Sequence, residues 1–117
     1  MNLEQLRQYC LSKKGCEEGT PFGEDTLVYK VMGKIFAITG FVIPLTVNLK
    51  CDPEYAVELR EQYEDVQPGY HMNKKHWNTV RVDGRLGKKE VEKLIDHSYD
   101  LIIKSLPKKL QEEYKKF

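Results

Sequence analysis

The sequence lacks the features by which most enzymes, membrane proteins and secreted proteins are recognised. No apolar run approaches the roughly 18 to 20 residues that a membrane helix requires, and the amino-terminal segment shows no basic-then-apolar secretion signal. No catalytic, nucleotide-binding or metal-binding motif stands out along the chain. These absences predict a cytoplasmic binding protein that is not an enzyme, has no cofactor or metal, and does not act at a membrane.

The sequence also has few cysteines and a small net charge. Cys10, Cys16 and Cys51 are odd in number and have no paired CxxC spacing, so reduced, partly buried thiols are expected rather than a disulfide framework or a zinc site. The net charge is only +1 and the pI is near 7.7. Because nucleic-acid-binding domains usually have a pI above about 9, the total charge gives no case for a nucleic-acid partner.

The near-neutral total conceals an uneven distribution of charge. Residues 71–89 carry six lysines or arginines against a single acid, Asp83, whereas residues 52–65 carry six acids against a single base, Arg60. The 117 residues fit one domain, 1–117, with 40% hydrophobic and 32% charged residues, a composition typical of an ordinary soluble protein. The sequence therefore predicts a basic segment and an acidic segment on one small domain.

Periodicity predicts an α+β fold. In residues 45–50, Leu45, Val47 and Leu49 share one face of a strand and the polar residues share the other, a pattern typical of an antiparallel sheet covered on one side only. Asp52 and Pro53 have the residue types that begin a helix. The predicted order is helix, three strands, helix, strand, helix, hence a two-layer sandwich. The predicted helices are 3–13, 52–65 and 88–106, with 108–117 as an additional short terminal helix, and the predicted strands are 27–31, 35–39, 41–50 and 78–83.

Two segments are predicted as loops. Residues 16–25 contain several Gly and Pro breakers among unbalanced acids, and Phe22 within them is expected to dock on the core. Residues 66–75 hold a Pro-Gly turn signal and lead to the only tryptophan. His71 and His76 are five residues apart with no convergent ligand, so the spacing indicates no metal site.

Trp77, Ser98 and the neighbouring lysines each allow a structural interpretation. A single tryptophan at the start of a strand is most often a core anchor, although its face can also stack on a base. Lys74 and Lys75 are by default a solvated turn, although they can also hold phosphates. Ser98 lies on the inward face of its helix, which indicates a small residue at a close helix–sheet contact rather than a nucleophile.

Basic residues fall on the outward positions of three different predicted strands. These residues are Lys30, Lys50 and Arg81, each at an alternate position of its strand that faces away from the core. They form one positive surface able to displace counterions from a phosphate backbone only if the strand order brings them together with the basic residues of the turns. Those further residues are Lys74, Lys75, Arg85, Lys88 and Lys89.

Several short motifs, in order along nearly the whole chain, resemble the MmcQ/YjbR family of small bacterial proteins. They are Pro21-Phe22-Gly23, Val28-Tyr29-Lys30-Val31, Gly33-Lys34-Ile35-Phe36-Ala37, Asn48-Leu49-Lys50-Cys51-Asp52-Pro53, residues 66–77, Leu94-Ile95-Asp96-His97-Ser98-Tyr99 and Leu106-Pro107-Lys108-Lys109. The resemblance implies a CyaY-like sandwich and a DNA-binding role of the kind described as a double wing, with double-stranded DNA as the partner. Its recurrent positions here are Lys34, Lys50, Pro68, Gly69, Lys74 and Trp77.

Charge and resemblance together predict a DNA-contacting set of seven residues. The set is Lys34, Lys50, Lys74, Lys75, Trp77, Arg81 and Arg85. The alternative is a protein-interaction module or homodimer, docking through the open face of the sheet or through the acidic helix Asp52–Asp65. A third interpretation, from the likeness to frataxin, is iron binding by the acids of residues 17–25, which are Glu17, Glu18, Glu24 and Asp25.

Overall fold

The computed structural model describes all 117 residues, and it contains one six-stranded sheet and four helices. The helices are α1 (Leu3–Leu11), α2 (Pro53–Gln62), α3 (Lys88–Ser105) and α4 (Lys108–Tyr114). The strands are β1 (Cys16–Gly19), β2 (Thr26–Val31), β3 (Lys34–Gly40), β4 (Thr46–Lys50), β5 (Val66–Pro68) and β6 (Trp77–Arg81). None of the helices combines the length and apolarity that crossing a membrane would require.

The sheet is antiparallel throughout, with the strand order β1-β2-β3-β4-β6-β5. The first three helices pack against one face, and α3 makes contacts with β2, β3 and β4. Between this face and the helices lies a core of 22 buried residues. The predicted α+β two-layer sandwich is therefore confirmed. No helix covers the other face, which we call the open face.

The inward and outward positions follow the predicted alternation. Val47 and Leu49 are buried in the core, whereas Thr46, Asn48 and Lys50 between and beyond them are half-buried on the open face. The predicted start of α2 is also confirmed, because the Asp52 side chain accepts a hydrogen bond from the Tyr55 backbone N–H and Pro53 occupies the first turn.

Two strands were not predicted, because each is weakly encoded. In β1, Glu17 and Glu18 are poor strand formers. Glu18 is stabilised there only by partners distant in sequence, since its carboxylate accepts hydrogen bonds from the Arg7 guanidinium at 3.0 Å and the Tyr29 hydroxyl at 2.7 Å. Strand β5 has three residues and ends at Pro68, which cannot donate to a ladder.

The prediction that Phe22 docks on the core is wrong. Its side chain is 66% exposed, in the loop that joins β1 to β2. Phe36, by contrast, is fully buried in the core, as is Tyr29; it lies at an irregularity in the β2–β3 ladder and packs edge-on against Tyr99 with ring centroids 5.3 Å apart. Hydrophobicity alone did not distinguish these two positions, because burial depends on where the loop runs.

Candidate nucleic-acid interface

The middle of the open face is an uncharged row of cross-strand neighbours. Strand pairing places Val28, Ile38, Asn48, Thr79 and Gln67 side by side across β2, β3, β4, β6 and β5. Val28 is fully buried, although it does not belong to the core cluster beneath the helices. This row of the open face is thus apolar on β2 and β3, and it carries amide and hydroxyl groups on β4, β6 and β5.

Two loops turn this face into a groove of about 520 Å³. The β1–β2 loop contributes Phe22 on one side, and residues 70–72 of the β5–β6 loop form the other side. The floor between them includes Ile35, Ile38 and Asn48. Phe22 and Tyr70 are 66% and 68% exposed, so both aromatic rings present much of their surface to solvent beside the groove.

The β5–β6 loop, residues 69–76, is held in place through its backbone. The Gly69 N–H donates to the Trp77 carbonyl at 2.9 Å, and the Tyr70 N–H donates to the Thr79 hydroxyl at 2.9 Å. The Lys74 ammonium donates to the Gly69 carbonyl at 2.8 Å and so closes the loop on itself. Because Tyr70 is bonded to a residue of the open face, the first part of the loop lies beside that face, where residues 70–72 line the groove.

Arg60 ties this loop to the acidic helix α2. Its Nε donates to the side-chain oxygen of buried Asn78 at 2.7 Å, and its Nη2 donates to the carbonyls of Lys74 and of Trp77, the latter at 3.3 Å. A planar guanidinium suits this role because it offers several donors in a fixed geometry. The sequence carried a signal for this residue, since Arg60 is the only base among six acids in residues 52–65.

Replacing Arg60 by lysine is expected to lower the free energy of unfolding by roughly 2 kcal/mol, because hydrogen bonds from a charged group are among the stronger ones and buried Asn78 would lose its partner. Urea denaturation measures the change. Arg85→Lys is the matched control, because Arg85 is exposed and only its backbone N–H is hydrogen-bonded. If Arg60→Lys loses no more free energy of unfolding than the control, Arg60 does not hold the β5–β6 loop to α2 through these hydrogen bonds.

The structure brings part of the predicted DNA-contacting set together at one end of the sheet. Strand directions place the carboxyl end of β4 and the amino end of β6 side by side, so that Lys50 pairs with Trp77 on the open face. Lys74 and Lys75 lie in the loop that leads into Trp77, and both are exposed. Lys30 also faces outward at this end, opposite Ile35. We call the lysines of this end, Lys30, Lys50, Lys74 and Lys75, the basic end.

The other predicted residues lie elsewhere. Lys34 is at the same end of the sheet, but it pairs with the core residue Val31 and therefore lies on the side of the helices. Arg81 is at the opposite end of β6, where its Nε is paired with Asp83 at 2.9 Å. Arg85 lies beyond it, beside the carboxyl end of α2, with its backbone N–H bonded to Asp65. The structure does not bring Arg81 and Arg85 to the basic end.

Trp77 is half-buried at the basic end of the open face. It is therefore neither a fully enclosed core anchor nor a freely exposed ring. The residues of the open face that sequence reasoning did not select are the groove residues Ile35, Ile38, Tyr70 and Met72. Outward apolar positions on β3 were the available signal, but their meaning depends on which loops lie next to them.

No group of three or more His, Cys, Asp and Glu side chains in the structure is arranged to hold a metal ion. Burial raises the pKa of the Cys10 and Cys51 thiols to about 12 and that of Cys16 to about 11, which keeps all three protonated at neutral pH. The acids considered for iron binding also do not form one free set, because the Glu18 carboxylate is already paired with the Arg7 guanidinium.

Comparisons with known proteins identify relatives along most of the chain. A family profile described as YjbR matches residues 11–101. The uncharacterized protein YjbR of Escherichia coli (strain K12) is 38% identical over 108 residues, which cover 92% of this chain and 92% of that protein. The uncharacterized protein YyaQ of Bacillus subtilis (strain 168) is 40% identical over 75 residues, covering 64% of this chain and 63% of that one.

Solved structures agree with this relationship. The crystal structure of Deinococcus radiodurans DR2400, described as a DUF419 domain, superposes with a TM-score of 0.91 at 36% identity, covering 97% of this chain and 88% of that chain. A crystal structure of a protein from Pseudomonas syringae superposes with a TM-score of 0.77 at 32% identity, covering 86% and 98%. Sequence and fold agree over the same residues, and the chain belongs to the YjbR family.

Proposed function

We propose that this protein is a non-enzymatic DNA-binding protein that contacts DNA phosphates through the basic end of its sheet. The observation that carries the proposal is the strand order, which places Lys30 and Lys50 at the same end as the loop lysines Lys74 and Lys75. Lysine ammonium groups concentrated in this way displace counterions from a phosphate backbone.

The charges of the basic end are not neutralised by direct ion pairs. The four salt bridges of the protein involve Arg7, Lys13 and Arg81, and none involves a lysine of the basic end. Glu17 faces Lys30 across the β1–β2 ladder without reaching ion-pair distance. A local positive surface is therefore compatible with a net charge of +1.

The acids that balance the total charge lie mainly on the other layer. The exposed glutamates of α2 belong to the helix that packs by β5 on the helix-covered side. These residues are Glu54, Glu58 and Glu61, and the exposed Glu64 follows in the turn after the helix. The two layers thus separate the acidic segment from the open face, which is the arrangement that DNA binding on one side requires.

DNA binding is expected to weaken steeply with salt, with a log–log slope of roughly 0.9 for each phosphate neutralised. Fluorescence anisotropy with a labelled duplex and a labelled single strand at about 50 and about 200 mM salt, a range over which phosphate contacts lose much of their affinity, measures the slope. Lys50→Ala and Lys75→Ala are each expected to weaken binding and to reduce the slope by about 1.

Arg85→Ala is the matched control for this test, because Arg85 is an exposed cation at the opposite end of the sheet, beside Asp65. It is expected to leave both the affinity and the slope unchanged. If neither form of DNA binds at the lower salt concentration, the proposal is wrong. Equal losses in Arg85→Ala and Lys50→Ala would place any binding surface elsewhere.

Self-association is a second candidate, favoured by an exposed apolar tip between β3 and β4. Phe41, Val42 and Ile43 are consecutive and are 54%, 77% and 76% exposed. Neighbouring exposed apolar residues of this kind often mark an interface. Sedimentation velocity of the wild type and of Val42→Asp tests a second copy as the partner: a dimer that the substitution dissociates supports it, and a monomer at all concentrations excludes it.

A further inference from the structure

We infer that the groove on the open face takes the unpaired bases of single-stranded DNA, while the lysines of the basic end hold the adjoining phosphates. This inference rests on the DNA-binding function proposed above and deepens it. A flat basic surface would suffice for a duplex backbone, whereas this face has a groove with aromatic side walls. Proteins that bind single strands combine these two features, a positive track for phosphates and aromatic faces for bases.

Both aromatic walls are exposed, and the Tyr70 wall is held in place by contacts with its neighbours. The Tyr70 ring packs against His71 with ring centroids 4.0 Å apart and the ring planes tilted by 53°, and the His71 backbone takes a φ of 57°, which few residues other than glycine adopt. The Tyr70 N–H is bonded to Thr79 on the open face. The Tyr70 ring therefore lies beside the groove before any ligand arrives, opposite the Phe22 ring on the other loop.

The floor of the groove offers the two kinds of contact that a base needs. Ile35 and Ile38 supply apolar surface. Asn48 supplies hydrogen bonding, since its side-chain oxygen accepts from the Thr79 hydroxyl and its amide N–H groups are left for a ligand. An amide donor next to apolar contacts suits the edge and the face of an unpaired base.

The basic end adjoins this floor directly. Lys30 is the cross-strand neighbour of Ile35, and Lys50 lies two residues beyond Asn48 on the same face of β4. A strand whose bases enter the groove would thus have its phosphates next to ammonium groups. This complementarity of charge favours a nucleic-acid strand over an apolar peptide as the occupant.

The test compares a labelled 15-nucleotide thymidine single strand with a duplex of equal length, by anisotropy at low salt; this length is about the upper end of the range that single-strand sites of small domains occupy. We expect the single strand to bind the wild type at least about tenfold more tightly. The double variant Phe22→Ala/Tyr70→Ala is expected to lose about tenfold or more of that affinity, as removal of stacking partners does.

Phe117→Ala is the matched control, because Phe117 is an aromatic residue as exposed as Phe22, at 66%, and it lies outside the groove. It is expected to bind the single strand like the wild type. Circular dichroism of each variant checks that the fold is retained, and since Phe22 and Tyr70 are mostly exposed, no loss of structure is expected.

The outcomes separate this inference from the proposed function. If duplex and single strand bind alike, and binding depends on Lys50 and Lys75 but not on Phe22 and Tyr70, the DNA-binding function stands and the groove inference is overturned. If neither DNA binds, both fall. If sedimentation shows a dimer that the double variant dissociates, a second copy covers the groove and the inference is overturned.

Discussion

Ser98→Ala is expected to lower the free energy of unfolding by roughly 2–4 kcal/mol, because one buried hydroxyl joins three elements and its removal leaves two backbone groups unpaired. The Ser98 hydroxyl donates to the Phe36 carbonyl at 2.6 Å and accepts from the Lys50 N–H at 2.9 Å. Pairing between β3 and β4 ends at Ala37 and Leu49. The Ser98 hydroxyl thus bonds the two backbone groups that lie just beyond the last pair of the ladder.

The effect should exceed that of an ordinary serine truncation. Ser98 is fully buried, so water cannot replace the hydroxyl without a rearrangement of the packed layers. Urea denaturation monitored by the fluorescence of Trp77 measures the change. Lys50 belongs to the basic end, so the same substitution is also expected to loosen the end of β4 that carries a proposed DNA contact.

Ser105→Ala is the control within the same helix. Its hydroxyl donates to the Ile102 carbonyl one turn earlier, at the exposed end of α3, and its loss is expected to cost less than about 0.5 kcal/mol. If the two serine variants unfold at the same urea concentration, the hydroxyl of Ser98 does not join the sheet to the helix as described.

Gly69→Ala is the second substitution with a large expected effect, a loss of roughly 2–3 kcal/mol of stability together with displacement of the groove wall. A Cβ added at Gly69 would lie 2.9 Å from the Cβ atoms of Met72 and Trp77 and 2.9 Å from the Trp77 carbonyl oxygen. Two of these atoms are fixed by the β6 backbone, so the loop must move away from the strand.

The movement would break the contacts that build the site. The Gly69 N–H bond to Trp77 and the Lys74 bond to the Gly69 carbonyl both depend on this close approach. Denaturation and DNA anisotropy are measured on the same variant, and both stability and binding are expected to fall. In Gly19→Ala, the control, the nearest atom to the new Cβ is 3.9 Å away, and little change is expected. A stable Gly69→Ala protein would contradict the geometry of the loop.

Local sequence pattern was sufficient for the elements whose faces alternate cleanly. The inward Val47 and Leu49 of β4, the Asp52 and Pro53 start of α2 and the inward Ser98 of α3 were all predicted and observed. Each depends on neighbours within a few residues, because strand alternation and helix capping are local effects. The same reasoning failed for Glu18 in β1, which is held by Arg7 and Tyr29.

The candidate site was only partly predictable. Parity correctly placed Lys30 and Lys50 on the open face, but it assigned Arg81 to the same surface without showing that it lies at the other end of β6. Alternation along a strand predicts which face of the sheet a side chain lies on. It does not predict which residues of other strands lie next to that side chain, because this depends on the register. Phe22 was misplaced for a related reason, since its position is set by the path of a loop.

The sequence by itself determined the layers of this protein: where the helices and the strands β2, β3, β4 and β6 lie, which faces are apolar, and that basic and acidic segments are separate. These properties follow from periodicity and composition, which act over a few residues. The tertiary structure alone decided that β4 lies between β3 and β6, that Arg60 fixes the β5–β6 loop, and that two aromatic loops enclose a groove beside the lysines. Those features join residues far apart in the chain, and their positions are set by packing and register rather than by local preference.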